Sequence, residues 1–513
     1  MTGPSRRSVL AGAAALAACQ PASTPQSVLR VGLPTGADSL DPFLGQFAAA
    51  AIIYRQIHAP LAGYRDDHAL TGRWESEAGF MRWTAHLRPG LKWSNGEPLT
   101  ASDILWSLRR GANPETAGPD VGDLSIIRGA LEIVRGQAAP EALGVRVLDG
   151  RTLEFTLTRP HADFPDAMRE FYPINPRAVE AHGPDWTRPE NFVCSGPYVP
   201  VAESQLSLTL KKNPNHQRAD AVSIPEIEMS VVEDAGARVR LFRAGDLDLA
   251  LDPPANRLEE LRGLLGDQTR TYDAPRLVYL KVNHDREPLA DPRIRRALHI
   301  SIDREFIAGQ IIGGSAEPAF TAVPGVAESL SATPHETRME TAARLVREAG
   351  YGPDNPLTLG LLHSGEERAR VAVALADDWA RIGINAEIQA SESTGLYAMV
   401  GEGRFDLALA RFDRGMRSAN WRYLEPFAPG GFAANFGWED PALAALIEDI
   451  QAEGDPERRD ALVARAEDLM MDQANLIPLM RENAIWLIAS RIQGADDEQP
   501  VFWGDLALSA PAG

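Results

Sequence analysis

Apolar and polar positions switch between two rhythms along this chain, period-2 runs alternating with 3.6-period runs from residue 28 almost to the end. Val28 to Leu33 alternates as a strand and runs into the turn signal Pro34-Thr35-Gly36. Within residues 83–110, Asn95-Gly96 predicts a type I′ hairpin turn, because both residues tolerate positive φ. Thr100 with Asp103 then predicts the cap of a helix that carries Ile104, Leu105 and Leu108. Leu153, Phe155 and Leu157 alternate with polar residues as a half-buried strand should.

Two longer stretches fix the fold class as α/β. Ile227, Met229 and Val231 read as a strand, Asp234 as an N-cap, Ala237, Leu241 and Ala244 as one helix face, Gly245 as the stop, and Leu247, Leu249 and Leu251 as a second strand. That order predicts a βαβ unit, a parallel pair joined by a right-handed crossover. Further on, Leu357, Leu359 and Leu361 predict a strand, and residues 366–381 a helix with Ala372, Leu375, Ala376 and Trp379 on one face. Ile384, Ala386 and Ile388 predict a second strand, residues 393–401 a short helix, and Phe405 to Ala410 a third strand. Such a βαβαβ order makes a doubly wound sheet, in which ligands sit outside the carboxyl ends of the strands. The residues just past those ends are His363-Ser364-Gly365, Ser391 and Arg411-Phe412-Asp413. Between the two units, Asp291-Pro292 opens a helix with Ile294, Ala297, Leu298, Ser301 and Ile302 on one face, and Asp303 caps the next.

The first residues follow another logic. Arg6-Arg7 precede an apolar run from Ser8 to Ala18, too short at about 1.5 Å per residue to cross a hydrocarbon core of about 30 Å. The run reads as the apolar part of an export signal, residues 1–18, of twin-arginine type first, with the general secretory type, which also tolerates two arginines, as the alternative. Leu16-Ala17-Ala18-Cys19 resembles a bacterial lipobox, with Cys19 as the lipid anchor and residues 19–27 as a Pro/Ser tether. The only other cysteine, Cys194, is expected as a small buried thiol. The mature chain is therefore expected outside the cytoplasm, in the periplasm or on the outer face of a single membrane.

Composition then removes whole classes. With 513 residues, 44% apolar and 24% charged, the chain is an ordinary globular protein of roughly three domains at about 150 residues each. A net charge of −20, from 71 acids against 51 Lys and Arg, argues against nucleic acid as a partner, since phosphates need clustered cations. Two cysteines rule out a disulfide scaffold or a Cys-rich zinc site. There is no P-loop, no G-x-G-x-x-G, no H-E-x-x-H, no C-x-x-C and no G-x-S-x-G. No metal, cofactor or catalytic residue is assigned. An exported chain of this size without catalytic motifs reads as a binder, and the rival class is an exported α/β hydrolase.

Several segments together resemble the family of solute-binding lipoproteins that serve ABC importers of oligopeptides, dipeptides and nickel. They are GADSLDP (36–42), LRPGLKWSNGEPLTASDILWSLRR (87–110), SGPY (195–198), LKKNPNH (210–216), AGDLDLAL (244–251), LADPRIRRALHISIDREFIA (289–308) and AEDLMMDQANLIPLM (466–480), in the family's order. The resemblance implies a two-lobed periplasmic binding protein fold of type II with an extra inserted domain and the ligand in the interlobe cleft. It implies a discontinuous first lobe of residues 28–58, 190–272 and 485–513, a small inserted domain of 59–189, and a second lobe of 273–484. It further implies a monomer that delivers a small solute, a peptide first of all, to the transmembrane subunits of an ABC permease, with no enzymatic activity. The same fold tuned to a metal chelate, an opine or a sugar is the alternative. In peptide-binding relatives an Asp a few residues beyond the strand matching 405–410 takes the peptide amine. Asp413 after Phe412 is the first candidate for that role, and a second alignment through Ser418-Ala419-Asn420-Trp421 puts the uncharged Asn420 there instead. Arg411, Arg414 and Arg417 flank Asp413 and would favour an anion or a ligand carboxylate. Arg411, Asn420, Trp421 and Ala37 complete the expected ligand-binding set.

Overall fold

A computed structural model of the chain describes residues 28–45, 48–63, 68–77, 79–116, 122–327, 329–412, 420–427, 440–495, 499–500 and 502–509. Arg6, Arg7, Cys19, Asp413, Arg414, Arg417, Ser418 and Ala419 lie outside the described residues. Strand β1 (Val28–Leu33) forms where its alternation predicts, with Leu29, Val31 and Leu33 buried. Four strands then make a separate antiparallel sheet: β2 (Thr71–Ser76), β3 (Arg82–Leu87), β4 (Val145–Asp149) and β5 (Thr152–Thr156), in the order β2-β3-β5-β4. Trp83, Ala85 and Leu87 of β3 and Leu153 and Phe155 of β5 share one face and pack with Ile104 and Leu108 of the helix Ala101–Ala112. The fully enclosed members of this core all fall between Ala59 and Phe171. The helix starts with a reciprocal cap, the Thr100 N–H donating to Asp103 Oδ2 at 2.9 Å.

The turn before that helix corrects the type I′ expectation. Gly96 has φ +87, but Asn95 is not among the residues with positive φ. The Gly96 N–H donates to the Trp93 carbonyl and the Trp93 N–H to the Glu97 carbonyl, both at 2.9 Å, which closes a three-residue loop on one left-handed glycine. Asn95 acts through its side chain instead, accepting the Glu97 N–H at 3.1 Å.

The remaining strands of interest are β6 (Tyr198–Ser204), β7 (Ser207–Lys212), β8 (Glu226–Val231), β9 (Leu249–Leu251), β10 (Thr269–Val282), β11 (Ala316–Pro318), β12 (Leu357–His363), β13 (Ile384–Ala390), β14 (Leu407–Phe412) and β15 (Leu476–Ile488). With β1 they form an 11-stranded sheet in the order β13-β12-β14-β10-β15-β9-β1-β8-β7-β6, with β11 added on β15. The predicted unit from 227 to 251 is present, but its helix buries Arg238, Val239 and Phe242 instead of the expected face of Ala237, Leu241 and Ala244. Asp234 accepts the Ala237 N–H at 2.5 Å to open the helix Ala235–Ala244, and Gly245, φ +80, closes it. Its strands are parallel but not neighbours, which corrects the expected pair. β1 lies between them, Val31 facing Met229 on one side and Leu249 on the other. The second unit forms in the expected order, β12 running parallel to both β13 and β14, with helices Glu366–Ala380 and Ser393–Gly401 as connections. However, β14 begins at Leu407, not Phe405, and His363, Arg411 and Phe412 are the last residues of their strands, not the first beyond them. The helix Pro292–Ile300 carries the predicted Asp291 cap, which accepts the Arg293 N–H at 2.9 Å. Asp303 caps only one turn, Arg304–Phe306, which passes into a π-helical stretch, Ile307–Ile311.

Strands β10 and β15, 14 and 13 residues long, tie the two α/β units together. Tyr272, Ala484, Trp486 and Ile488 belong to the core built around β1, whereas Val278, Leu280, Ile477 and Met480 belong to the core under the helix Glu366–Ala380. The pairing register breaks between Tyr272 and Arg276, where the cores change over. No helix among the described residues is long and apolar enough to cross a membrane.

Candidate functional site

Strand polarity locates the site. β9 runs from Leu249, opposite Ile488, to Leu251, opposite Trp486, so its carboxyl end points at the middle of β15. β14 runs from Leu407, opposite Val282, to Phe412, opposite Leu277, so its carboxyl end points at the middle of β10. β1 and β8 share the direction of β9, and β12 shares that of β14. The carboxyl ends of both parallel sets therefore converge on the register break, where a doubly wound sheet presents its ligand groups.

Side chains at that junction follow from alternation. Leu359 and Leu361, Leu407 and Leu409, and Val278 and Leu280 pack beneath the helix Glu366–Ala380 through Val371, Ala372 and Leu375. Carrying the same alternation to the strand ends puts His363, Arg411 and Arg276 on that face at its rim, with Glu482 two residues beyond Met480. Arg368, in the first turn of the helix, pairs with Glu482 at 2.7 Å and with Glu367 at 2.9 Å. Arg276 pairs with Asp252, the first residue past β9, at 3.3 Å. Burial and the Glu482 charge hold the Glu367 carboxyl above the usual carboxylate range, against the pull of Arg368, Arg370 and Arg411. Arg411 itself is exposed and has no carboxylate within ion-pair distance among the described residues. His363 is buried, its carbonyl accepts the Ser391 N–H at 2.9 Å, and its Nδ1 has no partner among the described residues. Gly365, φ +78, is the N-cap of the helix and offers the first-turn amides no side-chain oxygen.

The other expected ligand residues occupy different surroundings. Asn420 is exposed, and its amide donates to the Pro324 carbonyl at 3.2 Å. Trp421 is 2% exposed, and its indole N–H donates to Asp163 Oδ2 at 2.8 Å. Trp421 thus faces protein, packed with Tyr423, Leu443 and Ile447. Arg422 beside it meets Asp123 at 2.5 Å, Glu425 at 3.0 Å and Asp166 at 3.3 Å. Burial acts to lower the Arg422 pKa, but these three carboxylates overcome it and raise it. Tyr423 packs edge-on to Phe412 at 5.7 Å, which ties the segment Asn420–Phe427 to the end of β14. Ala37 is half-buried against the core around β1, past the carboxyl end of that strand, and so belongs to the other unit from Arg411 and Asn420. The acid of the same motif, Asp41, is held by both Arg110 nitrogens at 2.6 and 3.2 Å and by the Trp186 N–H at 3.3 Å. Cys194 is buried as expected, its thiol pushed up to about 12 by burial.

The structure thus gathers His363, Gly365 and Arg411 at one rim, sets Asn420 on the adjoining segment and leaves Ala37 with the other unit. Arg276, Arg368 and Glu482 join that rim, and Asp252 faces it from the end of β9, none with a motif to announce it. The strand-end rule, applied to β9 as well, would have found Asp252. No group of three His, Cys, Asp or Glu able to hold a metal occurs among the described residues.

Residues 68–433 match the family described as bacterial extracellular solute-binding proteins, family 5 Middle. The chain is 29% identical over 510 residues to the probable deoxycholate-binding periplasmic protein YgiS of Escherichia coli (strain K12), covering 95% of this chain and 94% of that protein. It is 28% identical over 445 residues to the periplasmic murein peptide-binding protein MppA of the same strain, covering 83% and 82%. Among solved structures it superposes on OppA of Burkholderia pseudomallei with a TM-score of 0.82 at 25% identity, over 94% of this chain and 99% of that one. A Haemophilus influenzae OppA complex with the peptide RPPGFSPFR gives a TM-score of 0.82 at 24% identity, over the same shares, and supports the fold. Two parallel strand sets meeting end to end across a two-strand junction, together with a family match over more than half of the chain, lead to one assignment: this chain belongs to the bacterial extracellular solute-binding proteins of family 5.

Proposed function

We propose that this protein is a receptor that captures a peptide outside the cytoplasm, closes around it and presents it to the permease of an ABC importer, without chemical turnover. The observation that carries the reading is the convergence of both parallel strand sets on the break in β10 and β15, where the two cores change over. Two bodies joined by β10 and β15, which touch again where residues 161–166 meet 421–422, can rotate about that break when the second contact parts. A solute touching both rims gains contacts only when they close, and so shifts the population toward the closed form. The lobes are those expected from the family, residues 28–58, 190–272 and 485–513 against residues 273–484, with 59–189 inserted. The separate core of Ala59 to Phe171 supports that division. A strand-like peptide would be held through its main chain, and its amine by Asp413 or Asn420.

Isothermal titration with tri-alanine tests this reading. Saturable binding in the micromolar range, about −8 kcal/mol, with the peptide recovered intact by mass spectrometry supports it. Progressive loss of the peptide would make the protein a hydrolase and overturn it. If Asp413 is the amine partner, Asp413→Ala weakens tri-alanine far more than its N-acetylated form, and an equal loss for both ligands excludes that role.

A second reading has its own support. Arg411 is an exposed cation with no carboxylate within ion-pair distance among the described residues, and one relative is named for deoxycholate, a carboxylate that is not a peptide. Under this reading the same receptor takes an anionic non-peptide solute, and deoxycholate would bind where tri-alanine does not. Residues 1–18 would export the chain through Arg6-Arg7, and Cys19 would anchor it by lipid. A Cys19→Ser protein should then leave the membrane fraction.

A further inference from the structure

The stretch that follows the small sheet, residues 161–166, meets the segment Asn420–Phe427 through polar contacts that are buried or half-buried. Asp163 stands at the centre. Its Oδ2 accepts the Trp421 indole N–H at 2.8 Å and lies 3.5 Å from Arg459. Its Oδ1 is 3.4 Å from His161 Nδ1, and the His161 ring, 1% exposed, tilts against Trp421 at 5.7 Å. On either side, Arg422 pairs with Asp166 and the Ala162 N–H donates to the Gln451 carbonyl at 2.7 Å. Residues 161–166 therefore grip both 421–422 and the helices that pack behind them. Asn420, immediately before Trp421, leaves this grip with an exposed side chain and one further tie, to the Pro324 carbonyl.

We propose that Asp163 is a positioning residue for solute binding: by fixing the indole of Trp421 it fixes Asn420 at the rim of the site. The inference rests on the receptor reading, in which Asn420 borders the solute. Its warrant is the chemistry of the contact. Replacing buried ionic sets by apolar side chains is often neutral or stabilising, so stability alone does not call for a carboxylate here. What a carboxylate adds is direction, because an indole N–H in an enclosed site must point at its acceptor or lose its hydrogen bond. The neighbouring residue then inherits that orientation through the backbone.

The test uses the full chain with Asp163→Ala, Asp163→Asn, Trp421→Phe and the Asp163→Ala/Trp421→Phe double variant. Hydrogen exchange over residues 420–427 is measured without solute, and the Kd for tri-alanine by calorimetry, alongside the melting temperature. Asp163→Ala and Trp421→Phe should each speed exchange across 420–427 and weaken tri-alanine by about tenfold, the size of one lost charge-assisted hydrogen bond, with no further loss in the double variant. Asp163→Asn keeps an oxygen acceptor and should stay within about threefold of the natural protein. A lower melting temperature with unchanged exchange and unchanged Kd would make Asp163 a purely structural residue and overturn the proposal. So would additive losses in the double variant. If the natural protein binds no tri-alanine, the peptide reading falls, and exchange over 420–427 still decides whether Asp163 fixes the segment.

Discussion

Raising the pH should weaken this protein through one buried carboxyl, that of Glu467. The residue sits on the helix Pro456–Gln473, 1% exposed, and reaches across to the loop after β11. One of its oxygens accepts the Ala322 N–H at 2.6 Å and the other accepts the Val323 N–H at 3.0 Å. The next carbonyl in that loop, Pro324, holds Asn420. Burial pushes the Glu467 pKa up from 4.5 to about 7, while the two amides and Arg481 pull it down less strongly. In the unfolded chain the group ionises at 4.5, and in the folded chain near 7. Below 4.5 both states keep the proton and Glu467 contributes no pH dependence. Between the two values the unfolded chain releases its proton first, so stability falls as pH rises, by about 3 kcal/mol in all at about 1.4 kcal/mol per unit. Urea unfolding of the natural protein and of Glu467→Gln at pH 5 and pH 8 isolates this. The amide cannot ionise and loses one of the two acceptors, a constant penalty of about 1–3 kcal/mol. The stability difference between the two proteins should therefore shift by about 2–3 kcal/mol in favour of Glu467→Gln on going from pH 5 to pH 8. A difference that stays level, or moves the other way, would mean that the two amides hold the carboxylate ionised and that burial is the weaker effect.

Three further outcomes follow from named contacts. Phe155 is fully enclosed among Trp74 at 5.5 Å and Phe164 at 5.3 Å, so Phe155→Ala should cost about 3–5 kcal/mol in urea unfolding. A loss below about 1 kcal/mol would show that this core can collapse around the cavity. Asp252 sits at φ +48, and its pair with Arg276 is partly exposed, so Asp252→Asn should change stability by less than about 1 kcal/mol. Asp252→Val adds left-handed strain of about 1–2 kcal/mol, and equal melting temperatures for the two variants would refute the strain. Cys194 should resist iodoacetamide at pH 8 until the protein is unfolded, because burial keeps its thiol protonated, and rapid native labelling would contradict that.

Local pattern and long-range assembly contributed unequally to what the sequence revealed. β1, β12 and β13, the caps at Thr100, Asp234 and Asp291 and the stop at Gly245 were legible because each depends on residues within one turn or one strand. The place of β1 between β8 and β9 was not legible, since nothing near Val28 encodes a partner about 200 positions away. The Asn95-Gly96 turn failed more narrowly, because a side-chain contact to Glu97 competed with the backbone conformation that the dipeptide also allows. In the candidate site, Arg411 and His363 were legible by the strand-end rule. Glu482 and Arg368 were not, because an ion pair between a strand and a helix more than 100 residues apart leaves no spacing to read. Trp421 shows the limit of aligning a short motif: an aromatic set beside candidate ligand residues by resemblance is enclosed in protein and bonded to Asp163.

The opposed polarity of the two strand sets explains how one site can be shared between two separate α/β units. A parallel strand ends where its side chains stop being core, and its last carbonyls and the next helix's first amides open in the same direction. In one unit that end carries Asp252, and in the other it carries His363, Gly365 and Arg411. Had the sets run in the same direction along β10 and β15, one rim would face the break and the other would point away from it. Because β10 is antiparallel to both β14 and β15, and β15 to β9, the sets are reversed and the rims face each other. Rotation about the break in the two long strands then changes the distance between the rims while leaving each core intact. The Arg276–Asp252 pair reaches past the break from β10 to the end of β9, and so joins the two rims directly.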